Sequence, residues 1–199
     1  MGSEIDWAAF REAVNTPRFI EMLMKLPEEC WSKQNVSGYT LLHYACRGNH
    51  VQAVKVLSKY ADVNTPTDHG LAPMHYAAMF CRTQIAELLY IHGADLQIRD
   101  KTSYSPLEIA LLYRDCENGD GIVHMFLANG VRLSTVQETF QSLITIEMTD
   151  FENSVLRCRK AVIAMIRVRK AAQLWHVDRF LLREIGFAIW ATRYDWSKI

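Results

Sequence analysis

The chain reads as an all-α solenoid of stacked helix-turn-helix repeats with a C-terminal helical extension. Three observations carry that reading. Gly38-Tyr-Thr-Leu-Leu-His43-Tyr-Ala45 returns as Gly70-Leu-Ala-Pro-Met-His75-Tyr-Ala77 and again, worn, as Ser103-Tyr-Ser-Pro-Leu-Glu108-Ile-Ala110, in steps of 32 and 33 residues. Each copy is followed by apolar residues at helical spacing: Val51, Val54, Leu57; then Ile85, Leu88, Leu89; then Val123, Phe126, Leu127. Each unit then closes on a related phrase, Tyr60-Ala61-Asp62-Val63-Asn64, His92-Gly93-Ala94-Asp95-Leu96 and Asn129-Gly130-Val131. A unit of that length cannot bury its apolar face alone, so copies must stack.

Ahead of the array, Asp6–Val14 and Pro17–Leu26 read as two short helices separated by Asn15-Thr16. Their apolar stripes are Trp7, Phe10, Val14 and Phe19, Met22, Leu23, Leu26. This is a degenerate capping unit, which a solenoid needs because its terminal repeat lacks a neighbour on one face. In the repeats, Gly38 and Gly70 supply a turn conformation with positive φ that other residues resist. Asp115 to Gly121 lengthens the loop between the two helices of the third unit, and Gly93 to Gly130 spans 37 residues. Its acidic residues lack the ligand set and closing glutamate of a calcium loop, so it reads as a solvated insertion.

The segment and its period resemble the ankyrin repeat, with its Thr-Pro-Leu-His-x-Ala signature and Gly-Ala-Asp-Val-Asn close. In that family the Thr caps the first helix and the Pro sits in its first turn. Thr40 keeps the cap without the proline, Pro73 follows Ala72, and Ser105-Pro106 has both. The resemblance implies a structural role for His43 and His75, whose rings bridge the backbone of adjacent turns; Glu108 stands in that slot in the third unit. It also implies a binding scaffold whose partners dock on the turn tips and the concave helical face. The positions the template leaves free there hold Tyr39, Tyr44, Arg47, Leu71, Tyr76, Met79, Phe80, Tyr104, Ile109 and Tyr113. Tyr, Met, Phe and Arg are the types enriched in interface cores, so these are the candidate protein-binding residues.

After Leu133 the signature ends, which divides the chain into an array over residues 1–133 and a helical region over 134–199. Ser134 to Asp150 reads as one helix capped by Ser134, and Asn153 to Lys170 as a second. The second has Val155, Cys158, Val162, Met165 and Ile166 on one side and Arg159, Lys160, Arg167 and Lys170 on the other, with Arg157 at the edge. The last helix, Val177 to Tyr194, carries an aliphatic stripe (Leu181, Ile185, Ala188, Ile189) and a second, aromatic one. Phe180, Phe187, Trp190 and Tyr194 form that second stripe and a second candidate interface, for another protein or for self-association. The tail resembles those of ankyrin proteins of large DNA viruses. Leu156–Arg159 echoes a SOCS-box and Phe180–Ile185 an F-box opening, though neither has the proline those motifs use.

Composition bounds the rest. Twenty-two basic residues balance twenty-two acidic ones, which argues against general nucleic-acid binding. Five scattered cysteines without a CxxC pair suggest reduced thiols, hence a cytoplasmic or nuclear protein, in the host cytoplasm if viral. No apolar run reaches the length of a membrane span. No nucleotide-binding, zinc-protease or nucleophile-elbow motif occurs, so the reading has no catalytic residues, cofactor, metal or small-molecule substrate. The expected function is non-enzymatic protein recognition through the concave face. The alternatives are a two-ended adaptor whose tail recruits ubiquitin-ligase-type machinery, and a structural homo-oligomer or virion component.

Overall fold

The computed structural model describes residues 5–114 and 119–171, with side chains described as far as residue 163. The chain divides into two compact units, 1–148 and 149–199. In the first unit, helices α1 (Trp7–Ala13) and α2 (Arg18–Lys25) are followed by a 3₁₀ turn at Glu28–Cys30. Three two-helix units come next: α3 (Leu41–Arg47) with α4 (Val51–Leu57), α5 (Pro73–Met79) with α6 (Thr83–Ile91), and α7 (Pro106–Leu112) with α8 (Gly119–Ala128). Helices α3, α5 and α7 pack side by side in one row, and α4, α6 and α8 in another. This is the stacked-repeat solenoid expected of the 32–33-residue period. Among the described residues, β pairing is confined to an isolated bridge between Gln34 and Thr40.

The core follows the apolar sets. Leu41, Leu42, Val54, Leu57, Ile85, Leu89, Leu107, Val123, Phe126 and Leu127 are buried, as are Ala45, Ala77 and Ala110, which let the first-helix row approach closely. The N-terminal pair seals one end: Phe10 and Phe19 meet edge to face at 5.3 Å, and Phe19 stacks on His50 at 4.6 Å. His50 Nε2 lies 2.7 Å from the Val14 carbonyl. A carbonyl only accepts, so that nitrogen carries the proton. Gly48 makes room for the same carbonyl, which would stand 1.9 Å from a Cβ there.

Adjacent turns are stitched by backbone hydrogen bonds, Asp68 N–H to Ser37 O at 3.1 Å and Lys101 N–H to His69 O at 3.0 Å. Gly38 and Gly70 take φ of 78° and 80°. A Cβ on Gly70 would lie 2.7 Å from the Lys101 nitrogen, so the stitching itself requires glycine. Ser103 holds the third such position at φ 68°. It bears the left-handed penalty of about 1–2 kcal/mol, and its side chain is exposed. Replacing Ser103 with glycine is therefore expected to stabilise the unit by about 0.5–1 kcal/mol after the entropic cost of glycine, read as a rise in urea midpoint without a change of slope.

The region after Leu133 corrects one expectation. Instead of a single helix over 134–150, the chain makes 3₁₀ turns at Leu133–Thr135 and Glu138–Leu143, then enters a long helix α9 (Ile146–Ala171). Val136, Gln137 and Ile144 are extended, with ψ of 134°, 152° and 121°, and they break the helical register. Packing explains the breaks: Leu133, Val136, Phe140 and Met148 all point into the core, and the 138–143 turn lies against α7. Ser134 sits inside a turn and caps no long helix. The segment expected as a separate helix over 153–170 is part of α9. Within the second unit, Arg157, Arg159 and Lys160 are exposed while Val155 and Cys158 are half-buried; Val162 and Ile163 are 48% and 50% exposed. Cys46 is buried and Cys158 half-buried, and both keep free thiols.

Candidate protein-binding face

Each first helix is fixed at its start by a side chain three residues on from the cap. Thr40 N–H donates to His43 Nδ1 at 3.0 Å, and Ala72 N–H donates to His75 Nδ1 at 3.0 Å. Because Nδ1 accepts, Nε2 carries the proton in both rings. It donates onward to the next unit, to Leu71 O at 3.0 Å from His43 and to Tyr104 O at 3.2 Å from His75. Burial holds both rings neutral: it lowers the His43 pKa from 6.5 to about 4, and lowers that of His75 as well. These histidines position the face and have no capacity left for metal or catalysis.

Glu108 does the same work with opposite polarity. Its Oε2 accepts from Ser105 N–H at 2.7 Å, from Ser105 Oγ at 2.8 Å and from Arg99 at 3.1 Å. Its Oε1 accepts from Gln137 N–H at 2.7 Å. The carboxylate is fully buried while Arg99 stays 41% exposed. Burial alone would raise its pKa, but the hydrogen bonds from Ser105 and Gln137, with the Arg99 charge, outweigh it and leave it lowered. After the third unit the chain offers an amide where earlier units offer a carbonyl, and an acceptor replaces the histidine donor.

On this frame stands an aromatic cluster. The Tyr39 ring lies 5.6 Å from Tyr44, 5.9 Å from Tyr76 and 5.8 Å from His43, and Tyr76 donates its hydroxyl to Tyr39 at 2.9 Å. Asn35 Nδ2 donates to the Tyr44 hydroxyl at 3.3 Å. One turn further along, the Arg47 guanidinium sits over the Phe80 ring at 5.9 Å, a cation–π contact that holds two candidate anchors together. Burial, with the Tyr39 neighbour, raises the pKa of the Tyr44 and Tyr76 phenols, so both remain protonated donors.

The sequence-selected residues separate by exposure. Arg47 and Tyr113 are exposed, and Tyr39, Leu71, Met79, Phe80 and Tyr104 are half-buried. Tyr44 and Tyr76 are 6% exposed and Ile109 is 3% exposed. Ile109 is thus a core residue, and Tyr44 and Tyr76 brace Tyr39 instead of projecting from the surface. Tyr104 packs edge to face on Phe140 at 5.0 Å, so its ring serves the end of the array. Tyr113 and Phe80 occupy equivalent places, each the residue ending a first helix. Phe180, Phe187, Trp190 and Tyr194 lie outside the described residues.

Sequence reasoning missed one wall of this face. Trp7, assigned to the capping stripe, stands 6.3 Å from Tyr44 and is only half-buried. Trp7, Ala8, Arg11, Asn35 and Tyr44 line a shallow cleft of about 170 Å³. The signal was present in the four-residue step from Trp7 to Arg11, which puts both on one side of α1. Among the described residues, no three of His, Cys, Asp and Glu gather as metal ligands, and no helix is long and apolar enough to cross a membrane.

Comparison with known proteins agrees with this geometry. Residues 6–100 match the family model for ankyrin repeats, in three copies. The chain is 37% identical over 152 residues to the ankyrin repeat protein FPV245 of fowlpox virus, covering 73% of this chain and 33% of that protein. It is 30% identical over 101 residues to FPV034 of the same virus, covering 51% of this chain and 23% of that protein. Human SH3 and multiple ankyrin repeat domains protein 2 is 27% identical over 84 residues, covering 42% of this chain and 4% of that protein. The chain therefore spans about a third and a quarter of the two fowlpox relatives.

Proposed function

We propose, for a chain whose residues 6–100 belong to the ankyrin-repeat family, that it binds a partner protein without catalysis, through Tyr39, Arg47, Met79 and Phe80. The observation that carries this reading is the bracing of Tyr39. Its ring is half-exposed yet held by Tyr44, Tyr76 and His43 and by the Tyr76 hydroxyl. An aromatic fixed before binding loses little entropy when a partner covers it, which is the property of an interface anchor. Arg47 and Phe80, fixed against each other, extend the same property along the row. Ankyrin repeats are in general protein-interaction modules, and the two fowlpox virus relatives favour a host-cell protein as the partner.

The test is affinity capture followed by titration of the captured protein against single variants. Tyr39→Ala and Phe80→Ala are each expected to lower affinity by about 1–3 kcal/mol, roughly fivefold to 150-fold, with helicity unchanged. Tyr90→Ala, on the outer row and 40% exposed, is expected to leave affinity as it was. A partner sensitive to Tyr90 and indifferent to Tyr39 and Phe80 would move recognition to the opposite surface.

A further inference from the structure

We propose that the cleft beside this face receives an acidic peptide segment of the partner, with a carboxylate at Arg11 and Asn35 and an apolar neighbour against Trp7. This names the partner chemistry of the face proposed above and rests on that proposal. The lining supplies a guanidinium, a carboxamide, a phenol and an indole, and no carboxylate. Such a set offers donors to an anion and an apolar wall to whatever adjoins it.

Charge along the row favours the same occupant. Helices α3 and α5 with the loops behind them, residues 41–50 and 73–82, contain no acidic residue but hold Arg47 and Arg82. In α7 the acidic residue is Glu108, fully buried and bonded to Arg99, so it shows no charge to an approaching ligand. The chain as a whole is neutral, with 22 basic and 22 acidic residues, so a first-helix row free of exposed carboxylates reflects segregation of charge. Carboxylates lie instead beyond that row, as at Asp62, Glu87 and Asp95, all exposed; beside the cleft, Asp6 and Glu12 are exposed too, but neither lines it, and Asp6 accepts from the Ala9 amide. A partner that was itself basic would meet the like charges of Arg11 and Arg47, which disfavours it. A nucleic acid would need a longer basic track than these isolated arginines provide.

Fluorescence anisotropy with a labelled alternating Glu-Leu octapeptide tests this, with the Gln-Leu and Lys-Leu octapeptides and a single-stranded DNA 20-mer as comparators. The acidic peptide is expected to bind at least tenfold more tightly than the others at low salt and to weaken as salt rises. Arg11→Glu should abolish that preference, Arg11→Lys should keep most of it, and Lys55→Glu on the outer helix should change nothing. Equal binding of all three peptides, stronger binding of the DNA, indifference to Arg11→Glu, or no acidic binding at millimolar peptide would each overturn the acidic assignment. If charge has no effect but Tyr39→Ala still weakens the captured partner, the recognition face stands and only its acidic occupant fails. If Tyr39→Ala also has no effect, both fail.

Discussion

Restoring the repeat histidine in the third unit, by Glu108→His, is expected to destabilise the array by about 2–4 kcal/mol, although it moves the sequence toward the family signature. Glu108 lies between two amide donors, Ser105 N–H at 2.7 Å and Gln137 N–H at 2.7 Å. A neutral imidazole has one acceptor and one donor. Whichever tautomer forms, one ring N–H must face a backbone N–H, and a protonated ring opposes both. A buried donor left without an acceptor costs about 1–3 kcal/mol, and here the ring's own proton adds a like-sign contact. Arg99 also loses its carboxylate, a smaller matter because its guanidinium is 41% exposed and keeps bonds to the Ser103 and Thr135 carbonyls.

In thermal unfolding the substitution should lower the midpoint by about 10 °C for a unit of this size. Glu108→Gln should fall between, since its single oxygen can serve one of the two amides. A Glu108→His protein that melted within about 2 °C of the parent, or above it, would show that the Gln137 amide contact contributes nothing. The contrast also explains where the repeat stops. His43 and His75 donate to carbonyls 28 and 29 residues ahead. Glu108 accepts from an amide 29 residues ahead, on a chain that is extended at Val136 and Gln137. The slot changes from donor to acceptor because its partner changes.

That reversal marks what the sequence could and could not reveal. Gly38, Gly70 and the histidine slot were legible because each repeats, and repetition ties a residue to a place in a unit. Glu108 was visible as a departure, but its purpose depends on Gln137, and no local pattern reports a contact across 29 residues. Ser103 was visible as a worn glycine; that it would adopt φ 68° was not, because a serine gives no sign of a left-handed conformation. The segment over 134–150 misled for a related reason. Val136, Phe140, Leu143 and Ile144 fit a helical wheel, yet Leu133, Val136 and Phe140 bury equally well from 3₁₀ turns joined by extended residues. Among the surface candidates, composition found the aromatic cluster but not its layering. Tyr39 and Tyr76 hold different slots of the repeat, yet both are tyrosines at positions the template leaves free, and only the fold shows one supporting the other.

The second large effect concerns acid. His43 is 1% exposed, and burial lowers its pKa to about 4 from the ordinary 6.5. The unfolded chain therefore binds a proton near pH 6.5 that the folded chain refuses until about pH 4. Between those values the unfolded state holds more protons, so stability is full above about pH 6.5 and declines as the pH falls toward 4. The shift is worth on the order of 3 kcal/mol for His43 alone, and His75 and His124, whose pKa values are also lowered by burial, add to it in the same direction. Glu108 acts in a different window: its pKa lies below the ordinary 4.5, so the stability it contributes is lost only as the pH falls below that value. Urea titrations at pH 7.0, 5.5 and 4.5 thus isolate the histidines. His43→Gln can still accept from Thr40 N–H and donate to Leu71 O without titrating, so it should cost some stability at pH 7 yet flatten the decline. A variant whose stability fell in parallel with the parent across that range would remove His43 as the source of acid sensitivity and leave the burden on His75 and His124.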